Sequence, residues 1–341
     1  MSRAVHAVVP AGIDDPTRPS GGNRYDRRVL DALAGRGWAV CERPVPGAWP
    51  QPSPSDLAGL DRLLRGLPDG SPVLIDGLIA SAAAGVVLPV ADRLRVLVLL
   101  HMPLDTDGEQ ELLRRCAGVV TSSRWVGARL CAGGLDPGRV TVAEPGVDPA
   151  DPVAGSSTGG RLLAVAVLAP HKGQDMLIAA LHRLADLDWT CTLAGSAAAD
   201  PAFAARLRVQ AGGLGERVRF VGPLAGPELH RAYASADLLV HPSRAETYGM
   251  VITEALARAI PVVATDVGGI PGALGRDASG HRPGCLLPPD DVDALAGAVR
   301  GWLTDPGRRA DWRRAAAARR STLARWSTTA GLLADALAGA R

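Results

Sequence analysis

Apolar residues along this chain come in short uninterrupted runs, separated by longer stretches with helical spacing. Residues 4–12 (AVHAVVPAG), 37–45 (GWAVCERPV), 71–77 (SPVLIDG), 94–102 (LRVLVLLHM), 117–123 (AGVVTSS) and 139–146 (RVTVAEPG) read as strands. Gly, Pro or Ser bounds most of them. Residues 23–37 (NRYDRRVLDALAGRG) read as a helix ending at Gly35 or Gly37. Strands that are apolar throughout, with no alternation, indicate a sheet covered on both faces. Their alternation with helices then predicts a parallel, doubly wound α/β architecture.

The pattern breaks at residues 151–160 (DPVAGSSTGG), which are small and polar, as a linker would be. It then restarts. Strands are expected at 161–169, 189–196, 217–224, 237–243 and 261–266, and helices at 172–187, 201–215, 226–236 and 248–260. The predicted organisation is a first domain over 1–150, a linker over 151–160 and a second domain over 161–322. Two βα-alternating halves joined this way imply a cleft. Ligands of open parallel sheets bind beyond the carboxyl ends of strands.

Composition narrows the class. The 341 residues are 47% hydrophobic with a net charge of +2, which describes a folded chain with no electrostatic case for nucleic acid. The five cysteines, Cys41, Cys116, Cys131, Cys191 and Cys285, are scattered and form no C-x-x-C pair. They read as reduced thiols of a cytoplasmic protein, neither a disulfide frame nor a zinc site. The first twelve residues are too weakly apolar for a signal peptide. Residues 77–90 (GLIASAAAGVVLPV) are too short to span a membrane and read as a buried helix. Near the C-terminus, Arg308, Arg309, Arg313, Arg314, Arg319, Arg320 and Arg325 form either a solvated helix face or a basic face for peripheral contact with anionic lipid.

Several chemistries are excluded by what is missing. No G-x-G-x-x-G follows the first strand, and no P-loop or H-x-x-x-H pair occurs. What remains are glycines, one cation and two carboxylates. Gly21 and Gly22 lie at the mouth of the first predicted helix, where backbone N–H groups either approach an anion or merely make a turn. Gly268 and Gly269, after the strand 261–266, invite the same pair of readings. Lys172 begins a helix, an unfavourable place for a cation, and is either a loop lysine or a partner for phosphate.

Glu246 and Glu254 are eight positions apart in "RAETYGMVITEALARAI". In a continuous helix that spacing is a rise of about 12 Å. The carboxylates of a glycosidase pair lie roughly 5–9.5 Å apart, so these two are not placed to serve one bond. They are spaced to hold separate parts of an elongated ligand, with helix N-terminal amides between them. By spacing alone, the favoured reading is that Glu246 is an N-terminal helix carboxylate and Glu254 an ordinary exposed position.

The stretch "HPSRAETYGMVITEALARAIPVVATDVGGIP" resembles the E-x7-E region of retaining glycosyltransferases of family 4, which have the two-domain GT-B fold. The likeness runs through "SGGNRYDRRVLDALAGRGWAV", "LVLLHMP", "VTVAEPGVDP", "VLAPHKGQDMLIAAL" and "VRFVGPLAGPELHRAYASADLLVHPS". It implies two Rossmann-like domains facing across a cleft, with the helix in 323–341 packing back on the first. The resemblance implies that Glu246 touches the donor sugar and that Glu254 binds the ribose hydroxyls. Thr247, Tyr248, Gly249, Met250 and Val251 would offer amides to a diphosphate, helped by Lys172 and by Gly21 and Gly22. His101 would sit beside the transferred sugar, and Val221, Gly222, Pro223 and Leu224 would border the base. Val167 stands where the family carries a second phosphate-binding arginine, and Gly272 where a glutamate often follows "GGIP".

The reaction so implied is transfer of a sugar, with retention, from a UDP- or GDP-sugar to an unidentified small-molecule, lipid or glycan acceptor. Glu246, His101 and Lys172 would carry it, with no metal and no cofactor besides the donor. The leaving diphosphate would help deprotonate the acceptor. A nucleotide-sugar epimerase of the same fold and a non-catalytic nucleotide-sugar-binding partner are the alternatives.

Overall fold

The computed structural model describes residues 3–15 and 20–340. The chain divides into two compact units, one of residues 3–15, 20–146 and 324–340, the other of residues 147–323.

The first unit builds a six-stranded parallel sheet in the order β2-β1-β3-β4-β5-β6. The strands are β1 (Arg3–Pro10), β2 (Trp38–Val45), β3 (Pro72–Asp76), β4 (Arg95–Leu100), β5 (Gly118–Thr121) and β6 (Val140–Val142). Helices α1 (Gly21–Ala34), α2 (Pro54–Arg65), α3 (Gly77–Ala82), α4 (Ala84–Ala91), α5 (Asp107–Arg115) and α6 (Arg124–Ala132) connect them. β3, β4 and β5 are buried almost without interruption, as their apolar runs require. Residues 77–90, expected as one helix, form two. The backbone leaves the helical region at Ala83, whose carbonyl accepts from Val87 N at 3.1 Å and starts α4.

The second unit repeats the plan in the order β12-β11-β10-β7-β8-β9, again all parallel. Its strands are β7 (Arg161–Val165), β8 (Thr190–Ala194), β9 (Val218–Gly222), β10 (Leu238–His241), β11 (Val262–Thr265) and β12 (Gly284–Leu287). The helices are α7 (Gln174–His182), α8 (Pro201–Ala211), α9 (Gly226–Ala234), α10 (Met250–Leu256), α11 (Ile270–Leu274), α12 (Val292–Thr304) and α13 (Pro306–Arg320). Apolar clusters fill both faces of the sheet, one around Leu177, Trp189 and Trp302, the other around Leu239, Ile252 and Leu274.

Residues 151–160 lie in this second unit and are fastened to it. The Asp237 carboxylate accepts from Ser156 N at 2.5 Å, Ser156 Oγ at 2.6 Å and Arg161 N at 2.9 Å, while Arg313 approaches to 3.5 Å. The side chain of Asp237 is fully buried. Its hydrogen bonds and the Arg161 charge hold its pKa below the usual carboxylate range against the opposing effect of burial.

Most of the C-terminal arginines are occupied, which argues against a free basic face. Arg309 donates to the carbonyls of Trp302 and Leu303, Arg313 to Ser156, Arg319 to Leu274, and Arg320 to Ala257 and Ala150. Arg308, Arg314 and Arg325 are exposed. Among the described residues, no helix is long and apolar enough to cross a membrane.

The last helix, α14 (Trp326–Gly339), completes the first unit. Trp326 meets Tyr25 of α1 edge to face at 5.7 Å, Thr329 Oγ1 donates to Glu144 O at 2.8 Å, and Arg36 donates to Ser327 O at 2.9 Å. The backbone of residues 325 and 326 lies against Gly146, where no Cβ fits.

Asp237→Ala leaves two guanidinium groups facing a cavity where their carboxylate was. It is expected to lower the unfolding free energy by about 3 kcal/mol in urea titrations. Because the folded-state pKa of Asp237 is depressed, this contribution is present above the ordinary carboxylate range and is lost as pH falls through the folded-state value. The difference between wild type and Asp237→Ala therefore narrows in acid.

Candidate functional site

In the second unit the site-bearing residues follow the carboxyl ends of neighbouring strands, where open parallel sheets leave backbone groups free for ligands. Beyond β7 the chain makes a 3-10 turn, Pro170–Lys172, and enters α7 through Gly173 in the left-handed region (φ 70°). A side chain at 173 would collide with the Pro242 carbonyl, so glycine is what lets this turn lie against the loop after β10. Arg244 straps the two together. Its backbone N–H donates to His171 O at 2.8 Å, and its guanidinium forks onto Asp175 at 2.8 and 2.9 Å.

That strap brings Lys172 and Glu246 together. Lys172 Nζ lies 2.8 Å from Glu246 Oε2, and His241 Nε2 approaches the same oxygen at 3.2 Å. Thr247 N donates to Oε1 at 3.1 Å, and Ser243 Oγ lies 3.1 Å from His241 Nε2. Burial alone would raise the Glu246 pKa. The His241 hydrogen bond and the Lys172 charge outweigh it and hold the carboxyl far below its usual range. Lys172 is the only lysine in the sequence, every other long cation being arginine.

Gly268 and Gly269 do not form an anion nest. A Cβ at either would strike the carbonyl of Glu246 or Thr247, and Gly269 N donates to Glu246 O at 3.1 Å. The pair instead allows the loop after β11 to press on the loop that carries Glu246.

Helix α10 starts after Gly249 (φ 94°) with no side-chain cap hydrogen bond at its amide end. Thr247, Met250 and Val251 are partly exposed there, whereas Tyr248 and Gly249 are buried. Glu254, open as an exposed position on spacing alone, is 8% exposed. Its Oε2 accepts from Tyr233 Oη at 2.9 Å, and the Arg258 guanidinium stacks over the Tyr233 ring at 4.7 Å. Val221 and Gly222 end β9 at the sheet edge and Pro223 and Leu224 follow it, with Val221 and Pro223 exposed. The structure thus gathers Lys172, Glu246 and residues 247–251 into one cluster. Glu254 is anchored separately through α9. A depression of about 760 Å³ beside Arg244 and Asp175 includes none of Lys172, Glu246 and Glu254.

In the first unit, Ser20 caps α1 by accepting from Asn23 N at 3.3 Å, and Gly21 and Gly22 open the helix. A Cβ at Gly22 would come within 3.3 Å of His101 Cδ2, a tight contact that glycine relieves. His101 follows β4 directly. Its Nε2 lies 2.6 Å from Asp26 Oδ1, and Tyr25 meets its ring edge to face at 5.0 Å. Asp76, ending β3, caps α3 by accepting from Leu78 N at 2.9 Å and Ile79 N at 3.2 Å. Donor atoms of Asp26, Asp76 and His101 lie within 4.8 Å of one another, a donor set of a kind that can also hold a metal ion. The loop after His101 is fixed by buried Glu109, which accepts from Leu104 N, Asp105 N and Ser81 Oγ.

Sequence reasoning missed Asp26, Asp76, His241 and Tyr233. The uniqueness of Lys172 was one signal available to it. Another was the position of Asp76 and His101 immediately after uninterrupted apolar runs.

Comparison with known proteins agrees with this layout. Residues 154–319 match the sequence profile of the family described as Glycosyl transferases group 1. The chain is 35% identical over 223 residues to a D-inositol 3-phosphate glycosyltransferase 2 of Catenulispora acidiphila, an alignment covering 59% of this chain and 51% of that one. It is 33% identical over 248 residues to a D-inositol 3-phosphate glycosyltransferase of Mycolicibacterium paratuberculosis, covering 68% of this chain and 55% of the relative. The chain therefore spans about half the length of the curated relatives it matches. Among solved structures it superposes on a sucrose-phosphate synthase from Thermosynechococcus elongatus with a TM-score of 0.78 at 22% identity, over 98% of each chain. It also superposes on Anabaena HepE in complex with UDP-glucose, with a TM-score of 0.77 at 20% identity, over 98% of this chain and 99% of that one. The fold of the chain is that of the GT-B glycosyltransferases, and residues 154–319, which carry Lys172, Glu246 and Glu254, match the profile of the glycosyl transferases group 1 family.

Proposed function

We propose that the chain is a retaining glycosyltransferase that moves a sugar from a nucleoside-diphosphate sugar to an acceptor hydroxyl. The observation that carries this reading is the Lys172–Glu246 pair beside the uncapped start of α10. A diphosphate arriving there finds one ammonium and the amide end of α10, which supply positive potential without a metal ion. Lys172 exchanges Glu246 for the phosphate oxygens, and Glu246 is released toward the sugar. Glu254, held by Tyr233, accepts from ribose hydroxyls. Residues 221–224 border the base, and in the first unit His101, beside Gly22, offers a donor to a sugar hydroxyl.

A UDP- or GDP-sugar is the donor class. The leaving diphosphate takes the acceptor proton on the face from which it departs, so the anomeric configuration is retained. The acceptor is a small molecule, lipid or glycan. The inositol phosphate named for the relatives is the first to test. A cytoplasmic setting suits five free thiols and a soluble donor.

Incubation with UDP- and GDP-sugars and D-inositol 3-phosphate is expected to release nucleoside diphosphate in step with sugar incorporated, the product keeping the donor's anomeric configuration by NMR. Release without incorporation into any acceptor overturns the transferase reading, and an inverted product overturns retention.

The single lysine gives a direct probe of the site. Reductive 13C-methylation labels Lys172 and the chain's terminal amine alone, and UDP is expected to shift the lysine signal. Lys172→Ala should weaken UDP by about 1.5–3 kcal/mol in calorimetry, the loss of a charged hydrogen bond. Glu254→Ala should weaken nucleotide binding, whereas Glu246→Ala should reduce turnover more than UDP affinity. Unchanged behaviour in all three variants removes the site assignment.

A further inference from the structure

Two carboxylates and an imidazole meet at the carboxyl ends of β3 and β4 in the first unit. Asp26 is 1% exposed, Asp76 is 4% exposed, and the His101 side chain is 13% exposed. His101 Nε2 is committed to Asp26 Oδ1 at 2.6 Å. The other Asp26 oxygen, Oδ2, is buried and has no conventional donor. The neighbouring carboxyl is that of Asp76, which has an oxygen within 4.8 Å of the Asp26 and His101 donor atoms. Two carboxylates cannot share a hydrogen bond unless one of them carries a proton.

The charge count gives the same answer. Two ionised carboxylates and a neutral imidazole would bury two negative charges together, which desolvation and mutual repulsion oppose. With one proton between the carboxylates and a second on the imidazole, the trio is neutral overall and Asp26 Oδ2 gains a donor. The energetics run in this direction. Burial pushes Asp76 up to about 7, the Asp26 charge adds to the rise, and His101 works against it. For His101, burial opposes the charged ring, but the Asp26 charge and hydrogen bond, with Asp76 behind them, raise its pKa above the ordinary imidazole value.

We propose that Asp26 and Asp76 are positioning residues that share one proton and hold His101 as an imidazolium, with Nε2–H tied to Asp26 and Nδ1–H presented as a cationic donor to a sugar hydroxyl or phosphate oxygen. The other groups packed around the ring leave this assignment intact. Tyr25 of α1 donates its Oη to Ala143 O at 2.8 Å and offers the ring only an aromatic contact. From α14 the nearest packing group is Trp326, which is uncharged. Helix α3 carries no titratable side chain, and Glu109 of α5 is taken up by Ser81 and the N–H groups of residues 104 and 105. Gly22 allows the ring this close to α1.

The role in sugar transfer rests on the proposed function, but the proton arrangement is tested without it. In long-range 1H–15N spectra of the full chain, with His101 assigned from His101→Gln, both ring nitrogens are expected to be protonated at pH 7. The ring is expected to deprotonate only as pH rises through a value above the ordinary imidazole range, with an inflection near pH 7 as Asp76 loses its proton. Asp26→Asn should lower the His101 midpoint by about one pH unit or more, a tenfold loss of proton affinity. Asp76→Asn, whose amide donates to Asp26 in place of the carboxyl proton, should keep the ring charged at pH 7 and abolish the inflection. Thermal melts check that both variants are folded, and the wild-type titration stands without either.

A neutral His101 at pH 7 in the wild type overturns the proposal, as do unchanged titrations in both folded variants. Loss or displacement of the His101 signals by micromolar Zn2+ or Mn2+ would make the trio a metal site instead. Where transfer is measurable, the basic limb of the kcat/KM profile moves to lower pH in Asp26→Asn. If no acceptor is glycosylated while the ring titrates as stated, the function falls and the proton-sharing trio stands.

Discussion

A carboxylate taken out of water must recover its hydrogen bonds from the protein, or the fold that buries it is disfavoured by several kcal/mol. In the second unit this requirement falls on Glu246, and the surrounding chain is arranged to meet it. Lys172 comes from the turn after β7, His241 from the end of β10, and an amide from Thr247. Lys172 and the other two donors arrive on different segments, so the two loops must lie side by side. Gly173, Gly268 and Gly269 permit that approach, and Arg244 fastens it. The geometry that solves a burial problem is therefore also what assembles a cation, a carboxylate and the amide end of α10 in one place. Positive potential there is fixed in advance by the backbone, which is where electrostatic preorganisation has most effect.

The chain uses its cations in two distinct ways. Arginines serve as clamps: their planar forks reach carbonyls at helix ends and loops, as Arg309, Arg319, Arg320 and Arg93 do. The one lysine is held at a single carboxylate by a flexible stem, and it can change partner without dismantling the local fold. A guanidinium in that position would be bound to one geometry. Composition alone hints at this division, since 37 lysines and arginines include only Lys172 as lysine.

The architecture was legible because both sheets are parallel and covered on two faces, so their strands are apolar throughout. β4 and β10 announce themselves, as does the helix carrying Glu254. β12 and α11 escaped notice because each is four or five residues long, amid Gly, Pro and charged neighbours. β12 is defined by its pairing with β11, where Gly284 lies against the Val262 carbonyl, and not by its own pattern. The burial of Glu254 could not be read locally, since Tyr233, which satisfies it, sits on another helix. The meeting of Asp26, Asp76 and His101 depends on β1, β3 and β4 being neighbours in space, a consequence of sheet order that no local window contains. In residues 151–160, small polar composition signalled weak intrinsic preference for regular structure. It said nothing about Asp237, which gives that segment its partners.

The packing of α14 on α1 has a consequence for how the protein comes into being. A ribosome makes residues 147–323 as one continuous stretch, and the second unit can close as soon as α13 emerges. The first unit, though begun earlier, lacks its closing helix until the final stretch of the described chain is released. Until then the Tyr25 side of α1 is bare, and the aromatic contact from Trp326 is missing. Order of synthesis and order of completion are thus reversed between the two halves. A nascent chain stalled shortly before residue 326 would hold a finished second unit beside a first unit still exposing an apolar helix face, the state in which a chaperone would find most to bind.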